Sequence, residues 1–146
     1  MKTRATSRYD CGQMFALVAD IEHYPDFLPY WRSTHIREQT ETTILAHQVI
    51  RVGGIDLAFD SCATLRQPLQ ITITAEDGIF RYFEMHWRFY SCANNGCEVH
   101  FETRLALRNR ILEAVISPLL AHQQRQIVRC FELEADRRYG RGDSGD

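Results

Sequence analysis

Long apolar runs are missing from this sequence. The longest are of the order of Ala16-Leu17-Val18-Ala19, far short of the ~20 residues a membrane-crossing helix needs. No apolar core follows Met1-Lys2-Thr3-Arg4, so no secretion signal is expected. An excess of one charge is missing too. Lys and Arg number 17 against 19 Asp and Glu, which argues against nucleic-acid binding driven by net charge, DNA included. The five cysteines are odd in number and show no Cys-x-x-Cys spacing. That speaks against a disulfide framework and for a reducing compartment such as the bacterial cytoplasm. Cys92 and Cys97 flank one turn and are read as thiols. Catalytic signatures are also lacking: there is no Gly-x-Ser-x-Gly, P-loop, Gly-x-Gly-x-x-Gly or His-Glu-x-x-His.

What is present is a chain long enough for one domain with a core of its own. We expect that domain over 1–139 and a disordered tail over 140–146, where nothing apolar is available to bury. Residues 2–9 suit an edge strand. Asp10 suits the N-cap of a helix over 10–20. From 33 to 107 the apolar residues recur with period two, the strand signature. Strands are expected at 33–40, 43–52, 55–66, 69–76, 80–92 and 97–107, separated by Gly53-Gly54, Gln67-Pro68, Asp77-Gly78 and Asn94-Asn95-Gly96. Ser117-Pro118 reads as the start of a long helix to about 138, with a shorter turn or helix at 109–116. Antiparallel strands with one apolar face need a cover, and only that last helix is large enough. The fold class is therefore α+β: a curved antiparallel sheet around a long C-terminal helix.

Parity constrains the last hairpin. Matching the apolar faces of 80–92 and 97–107 requires an odd loop, with Phe89 opposite Phe101 and Arg88 opposite Glu102. In that register His100 faces Tyr90, ~13 Å along the sheet from His86, too far to share a metal. No metal site is expected. The inner face is apolar, with Phe59, Trp87, Phe89 and Phe101 among its residues, and Gln48, Ser61, Thr103 and Gln123 as inward polar groups. An apolar concavity with a few convergent polar groups is the usual form of a small-molecule site. Local satisfaction of those polar groups is the plainer reading. Leu119, Gln123 and Ile127 belong to the helix stripe facing this sheet. No nucleophile–base pair appears on the inner face, so a binding protein is expected rather than an enzyme.

The segment Asp20-Ile21-Glu22-His23-Tyr24-Pro25-Asp26-Phe27-Leu28-Pro29-Tyr30-Trp31 resembles the coenzyme Q-binding protein and RatA-like family, within the START-like, polyketide cyclase/dehydrase superfamily. Gly54-Ile55, Trp87-x-Phe89 and Phe131 to Tyr139 extend the resemblance over about 3–139. It implies a helix-grip fold with a cavity between sheet and helix. It also implies a polyprenyl quinone such as ubiquinone, or a related lipid, as ligand, no required cofactor, and a chaperone role in respiration or quinone biosynthesis. Bacterial relatives imply an alternative, association with the large ribosomal subunit, for which Arg125, Arg129, Arg137, Arg138 and Arg141 offer a basic surface, a plain solvated helix face being the other reading. Polyketide cyclase or aromatase activity is the third implication. Glu134 departs from the family, standing where an arginine is common.

Two readings apply to the aromatic segment. In one, Tyr24, Phe27, Leu28, Tyr30 and Trp31, on a loop stiffened by Pro25 and Pro29, form a gate that closes the cavity mouth or dips into a membrane surface, peripherally at the inner membrane. Alternatively, Phe27 and Leu28 are core plugs.

Overall fold

Strand alternation dominates the chain, and in the computed structural model it yields seven antiparallel strands. Residues 2–75 and 78–144 are described, the last four by backbone alone. The strands are β1 (Lys2–Ser7), β2 (Trp31–Gln39), β3 (Thr43–Val52), β4 (Ile55–Arg66), β5 (Gln70–Ala75), β6 (Phe80–Cys92) and β7 (Gly96–Leu107). They pair in the order β1-β7-β6-β5-β4-β3-β2. Between β1 and β2 lie α1 (Cys11–Ala19), one 3-10 turn (Ile21–His23) and the short α2 (Tyr24–Phe27). The chain ends in α3 (Arg110–Ser144). Strands β3 to β7 bury alternate residues on the concave side against α1 and α3, giving one continuous core. The sheet curves around α3, as expected from the α+β reading. Among the described residues no helix is long and apolar enough to cross a membrane.

Strands β3, β4 and β6 keep the expected bounds. Strand β2 starts earlier, at Trp31 rather than 33, because a bulge between Trp31 and Ser33 lets Trp31 pair with Ile50. Asp77, half of one expected turn, lies outside the described residues.

The last hairpin corrects the expected register. Its loop, Ala93–Asn95, is odd as parity requires, but Cys92 already pairs with Gly96. Asn94 and Asn95 take φ of 62° and 59°, left-handed conformations that Asn tolerates, and this closes the loop one pair early. Phe101 therefore faces Trp87 instead of Phe89, and the expected Arg88–Glu102 pair is replaced by Arg88–His100 and His86–Glu102. His100 thus lies one pleat nearer His86 than the sequence suggested. No group of three or more metal-capable side chains occurs among the described residues.

The second correction concerns α3. Asn109 Oδ1 accepts the Ile111 and Leu112 amides at 2.9 and 3.0 Å, so the helix starts at Arg110. Glu113 accepts the Leu107 amide at 2.6 Å. Pro118, expected at the helix start, sits inside, where it has no N–H to give the Ala114 carbonyl. The backbone of 140–144, expected as tail, continues the helix, while 145 and 146 lie outside the described residues.

Candidate functional site

The aromatic segment folds inward. The Tyr24 ring is buried and edges against Phe27, Trp31 and Phe131 at 5.5–6.0 Å, a favourable quadrupole geometry. Its hydroxyl donates to the Val18 carbonyl, and burial pushes the phenol pKa up. Leu28 is buried. Phe27 packs on Phe131 at 5.2 Å and beneath the Arg138 guanidinium at 5.6 Å. Pro25 is half-buried and Pro29 exposed. This side of the molecule is a plug, so the gate placed here by the sequence reading gives way to the core-plug reading.

The C-terminal half of α3 locks that plug. Glu134 is only 6% exposed. It accepts two hydrogen bonds from Arg137 at 2.8 and 2.6 Å and one from Arg138 at 2.7 Å. Arg138 also donates to Asp20 at 2.9 Å, beside the 3-10 turn. The guanidinium groups of Arg137 and Arg138 hold the Glu134 carboxyl well down, at about 2. This arrangement gives the acidic residue a local role: it joins two arginines to one another and, through Arg138, to Asp20.

The inward polar groups of β3 and β4 are satisfied locally. The Trp31 indole donates to Gln48 Oε1 at 2.7 Å, Gln48 Nε2 donates to Ser61 Oγ at 2.7 Å, and Ser61 leans on the Ala46 carbonyl at 3.4 Å. Phe59 packs with Phe80 and Phe83, Phe89 with Phe15, and Trp87 stacks on Phe101 with centroids 4.1 Å apart. These residues fill the core rather than line open space.

Open space lies farther along the same strands. A small, partly open cavity of about 40 Å3 sits between the sheet and the middle of α3. Curvature brings Trp31 and Ile50 to it from one end of the sheet and Phe83, Met85 and Leu105 from the other, under Leu120 and Ile127. Thr103, Gln123 and Gln124 are its polar members. A groove of about 190 Å3 continues outward past Thr103, Leu105, Ser117, Leu120, Ala121 and Gln124. Gln124 is anchored to Thr3 Oγ1 at 3.2 Å. Gln123, by contrast, is 6% exposed, faces the cavity and makes no hydrogen bond among the described residues. Larger depressions lie on the outside, one of about 500 Å3 over Arg37, Asp60 and Thr74, but they are open and do not exclude water.

Of the residues singled out from sequence, Trp31, Gln123 and Ile127 meet at this cavity. Leu119 lines neither this cavity nor its surroundings but leans on the β3–β4 turn, with Cδ1 so close to Gly53 that a Cβ there would approach to 2.8 Å. Gly53, at φ +58°, lets the β3–β4 turn close against the helix. Sequence reasoning missed Ile50, Phe83, Met85, Leu105, Leu120 and Gln124 as site residues. Only Leu120 had a signal in the sequence: it lies in 111–121, a helical stretch whose only charge is Glu113. That stretch exposes Ile111 at 80%, Val115 at 56% and Leu119 at 39%.

A curved antiparallel sheet closed on a long C-terminal helix over an apolar cleft defines a helix-grip domain of the START-like class. The family model described as polyketide cyclase/dehydrase and lipid transport matches residues 8–132, and the chain belongs to that family. The ribosome association toxin RatA of Pseudomonas aeruginosa is 24% identical over 132 residues, spanning 90% of this chain and 92% of its own. The mitochondrial coenzyme Q-binding protein COQ10 of Drosophila melanogaster is 22% identical over 136 residues, spanning 90% of this chain and 56% of its own. The Zhui aromatase/cyclase from Streptomyces sp. R1128 superposes with a TM-score of 0.84 at 14% identity, covering 94% of this chain and 93% of that one. At that identity the likeness is one of fold, and fold alone carries no activity.

Proposed function

We propose that this protein is a carrier for an apolar ligand with a polar head, of the polyprenyl-quinone class, held between the sheet and the middle of α3. The observation that carries the reading is the Gln123 amide: buried, facing the cavity and without a partner among the described residues. Such a group is available to pair with a polar head that enters the cavity. Its N–H donates to a quinone carbonyl and its oxygen accepts from a quinol hydroxyl, so one side chain serves both redox forms. The cavity, at about 40 Å3, has room for a water or two. Loading therefore moves the N-terminal half of α3, where Pro118 leaves the helix ladder incomplete.

The mouth then lies at the groove beside the cavity, on the half of α3 that carries the exposed stripe Ile111, Val115 and Leu119. A lipid surface is the occupant that suits this stripe. Exposed arginines, Arg110 and Arg125, flank it, matching anionic headgroups. The one carboxylate inside it is tied to the Leu107 amide. Organic extraction of the gently purified protein, followed by mass spectrometry, tests the reading. It requires a stoichiometric polyprenyl quinone, either as isolated or after incubation with ubiquinone. An empty extract in both cases overturns it.

The second reading, ribosome association, rests on the likeness to RatA and on Arg125 and Arg129, which are exposed. Arg137 and Arg138 do not add to that surface, being engaged with Glu134 and Asp20. Cosedimentation with large subunits that fades with salt supports it, and no cosedimentation at low salt removes it. Cyclase chemistry has less support, since the cavity's polar members are two amides and a hydroxyl rather than an acid–base pair.

A further inference from the structure

Three thiols meet at the corner where β1 hands over to α1. Cys97 opens β7 fully buried, Cys92 closes β6, and Cys11 is the first residue of α1. The Cys11 thiol points at Cys97 Sγ across 2.7 Å. That separation is roughly 0.7 Å longer than the ~2.04 Å of a disulfide bond. The two residues lie 86 apart in sequence, so only the fold brings them together.

The corner is built to hold them there. Ser7 pairs with Cys97 across the β1–β7 ladder. Gly96 permits that approach, since a Cβ on it would meet the Ser7 carbonyl at 2.6 Å. Three residues later a reciprocal capping box fixes the start of α1: Asp10 Oδ1 accepts the Gln13 amide at 2.8 Å, and Gln13 Oε1 accepts the Asp10 amide at 3.1 Å. Tyr139 adds a hydrogen bond to the Gln13 carbonyl at 2.9 Å. Neither sulfur can move far, and neither needs to.

We infer that Cys11 and Cys97 form a covalent modification site, an intramolecular disulfide made under peroxide. Cys11 is half-buried and is the sulfur an oxidant reaches, whereas Cys97 is shielded. Burial also keeps the Cys97 thiol protonated. The Cys11 thiolate, its proton lost to solvent, attacks one oxygen of hydrogen peroxide. The O–O bond breaks, hydroxide leaves and takes up a proton to become water, and Cys11 becomes a sulfenic acid. The Cys97 sulfur then attacks Cys11 Sγ, the S–O bond breaks, and the hydroxyl leaves as water with the Cys97 proton. The balance is two thiols and one peroxide to one disulfide and two waters.

The bridge would close a long loop and remove conformational freedom from the unfolded chain. It lies away from the cavity, to which α1 contributes no residue. The oxidised protein is therefore expected to gain stability and keep its ligand affinity.

The test is peroxide treatment of the full chain, alkylation of remaining thiols, and peptide mapping without reductant. A cross-linked Cys11–Cys97 peptide pair is expected, with a Tm rise of about 10 °C that dithiothreitol reverses. Cys92→Ser should keep both the link and the shift. Cys11→Ser, which changes the reachable sulfur and spares the buried one, should lose both. A Cys92–Cys97 link, a link between molecules, or full alkylation of Cys11 and Cys97 after peroxide overturns the inference.

Discussion

The two halves of α3 are held in different ways. The C-terminal half carries Phe131 against Tyr24, Phe27 and Trp87, the Glu134–Arg138–Asp20 chain, and Tyr9 donating to Asp136 at 2.7 Å. The N-terminal half exposes Ile111, Val115 and Leu119, contains Pro118, and roofs a cavity and a groove instead of a filled core. One helix thus combines a fixed end with an end that has few reasons to stay down. Local stability follows such differences in packing, and ligand-gating elements come from the weaker side. In this fold the aromatic plug belongs to the fixed end.

Mutations can break the contrast from either side. The largest effect is expected at Phe131→Ala, which empties the aromatic cluster and should cost about 3–4 kcal/mol in urea unfolding. Glu134→Gln comes next, at about 2 kcal/mol, because it weakens the acceptor for two arginines. Glu134 also sets a pH dependence. Its folded pKa lies near 2, below the ordinary 4.5. Its stabilisation is complete above the unfolded value and is lost as pH falls toward the folded one. The urea midpoint should therefore drop between these two values, and Glu134→Gln should flatten that drop.

On the other half the effects should move from folding to binding. Gln123→Leu should weaken binding of a short-chain ubiquinone about tenfold, read by tryptophan fluorescence, with little loss of stability. Binding of a hydrocarbon chain without carbonyls should not change. Equal quinone affinity in the variant would remove Gln123 from the site. The smallest stability effect belongs to Val115→Ser, expected within about 0.5 kcal/mol of the parent. Flotation with anionic vesicles should still fall severalfold, and unchanged flotation would detach the stripe from lipid.

The sequence made the sheet legible because period-two alternation over 43–107 leaves little freedom, and β3, β4 and β6 keep their expected bounds. Where local signals competed, it was less clear. Parity demanded an odd hairpin loop without choosing between registers; the left-handed Asn94 and Asn95 made that choice. Ser117-Pro118 looks like a helix start, yet the Asn109 side chain caps earlier and tertiary packing carries the helix through. The site was legible only in part. Alternation tells which face a residue takes but not which layer of that face is filled. Trp87 and Phe101, taken from the alternating face, fill theirs by stacking on each other. Met85 and Leu105, one pleat or two away, border the space. The direction of the aromatic segment was not legible at all, since Tyr24 and Leu28 suit a gate and a plug equally by composition.

Hydrogen exchange resolved along α3, with and without a short-chain ubiquinone, tests the central claim most directly. The account predicts faster exchange over 111–121 than over 127–139 in the free protein, and protection gained on ligand addition chiefly in 111–121. Equal exchange in the two halves, or protection confined to the C-terminal half, would contradict it.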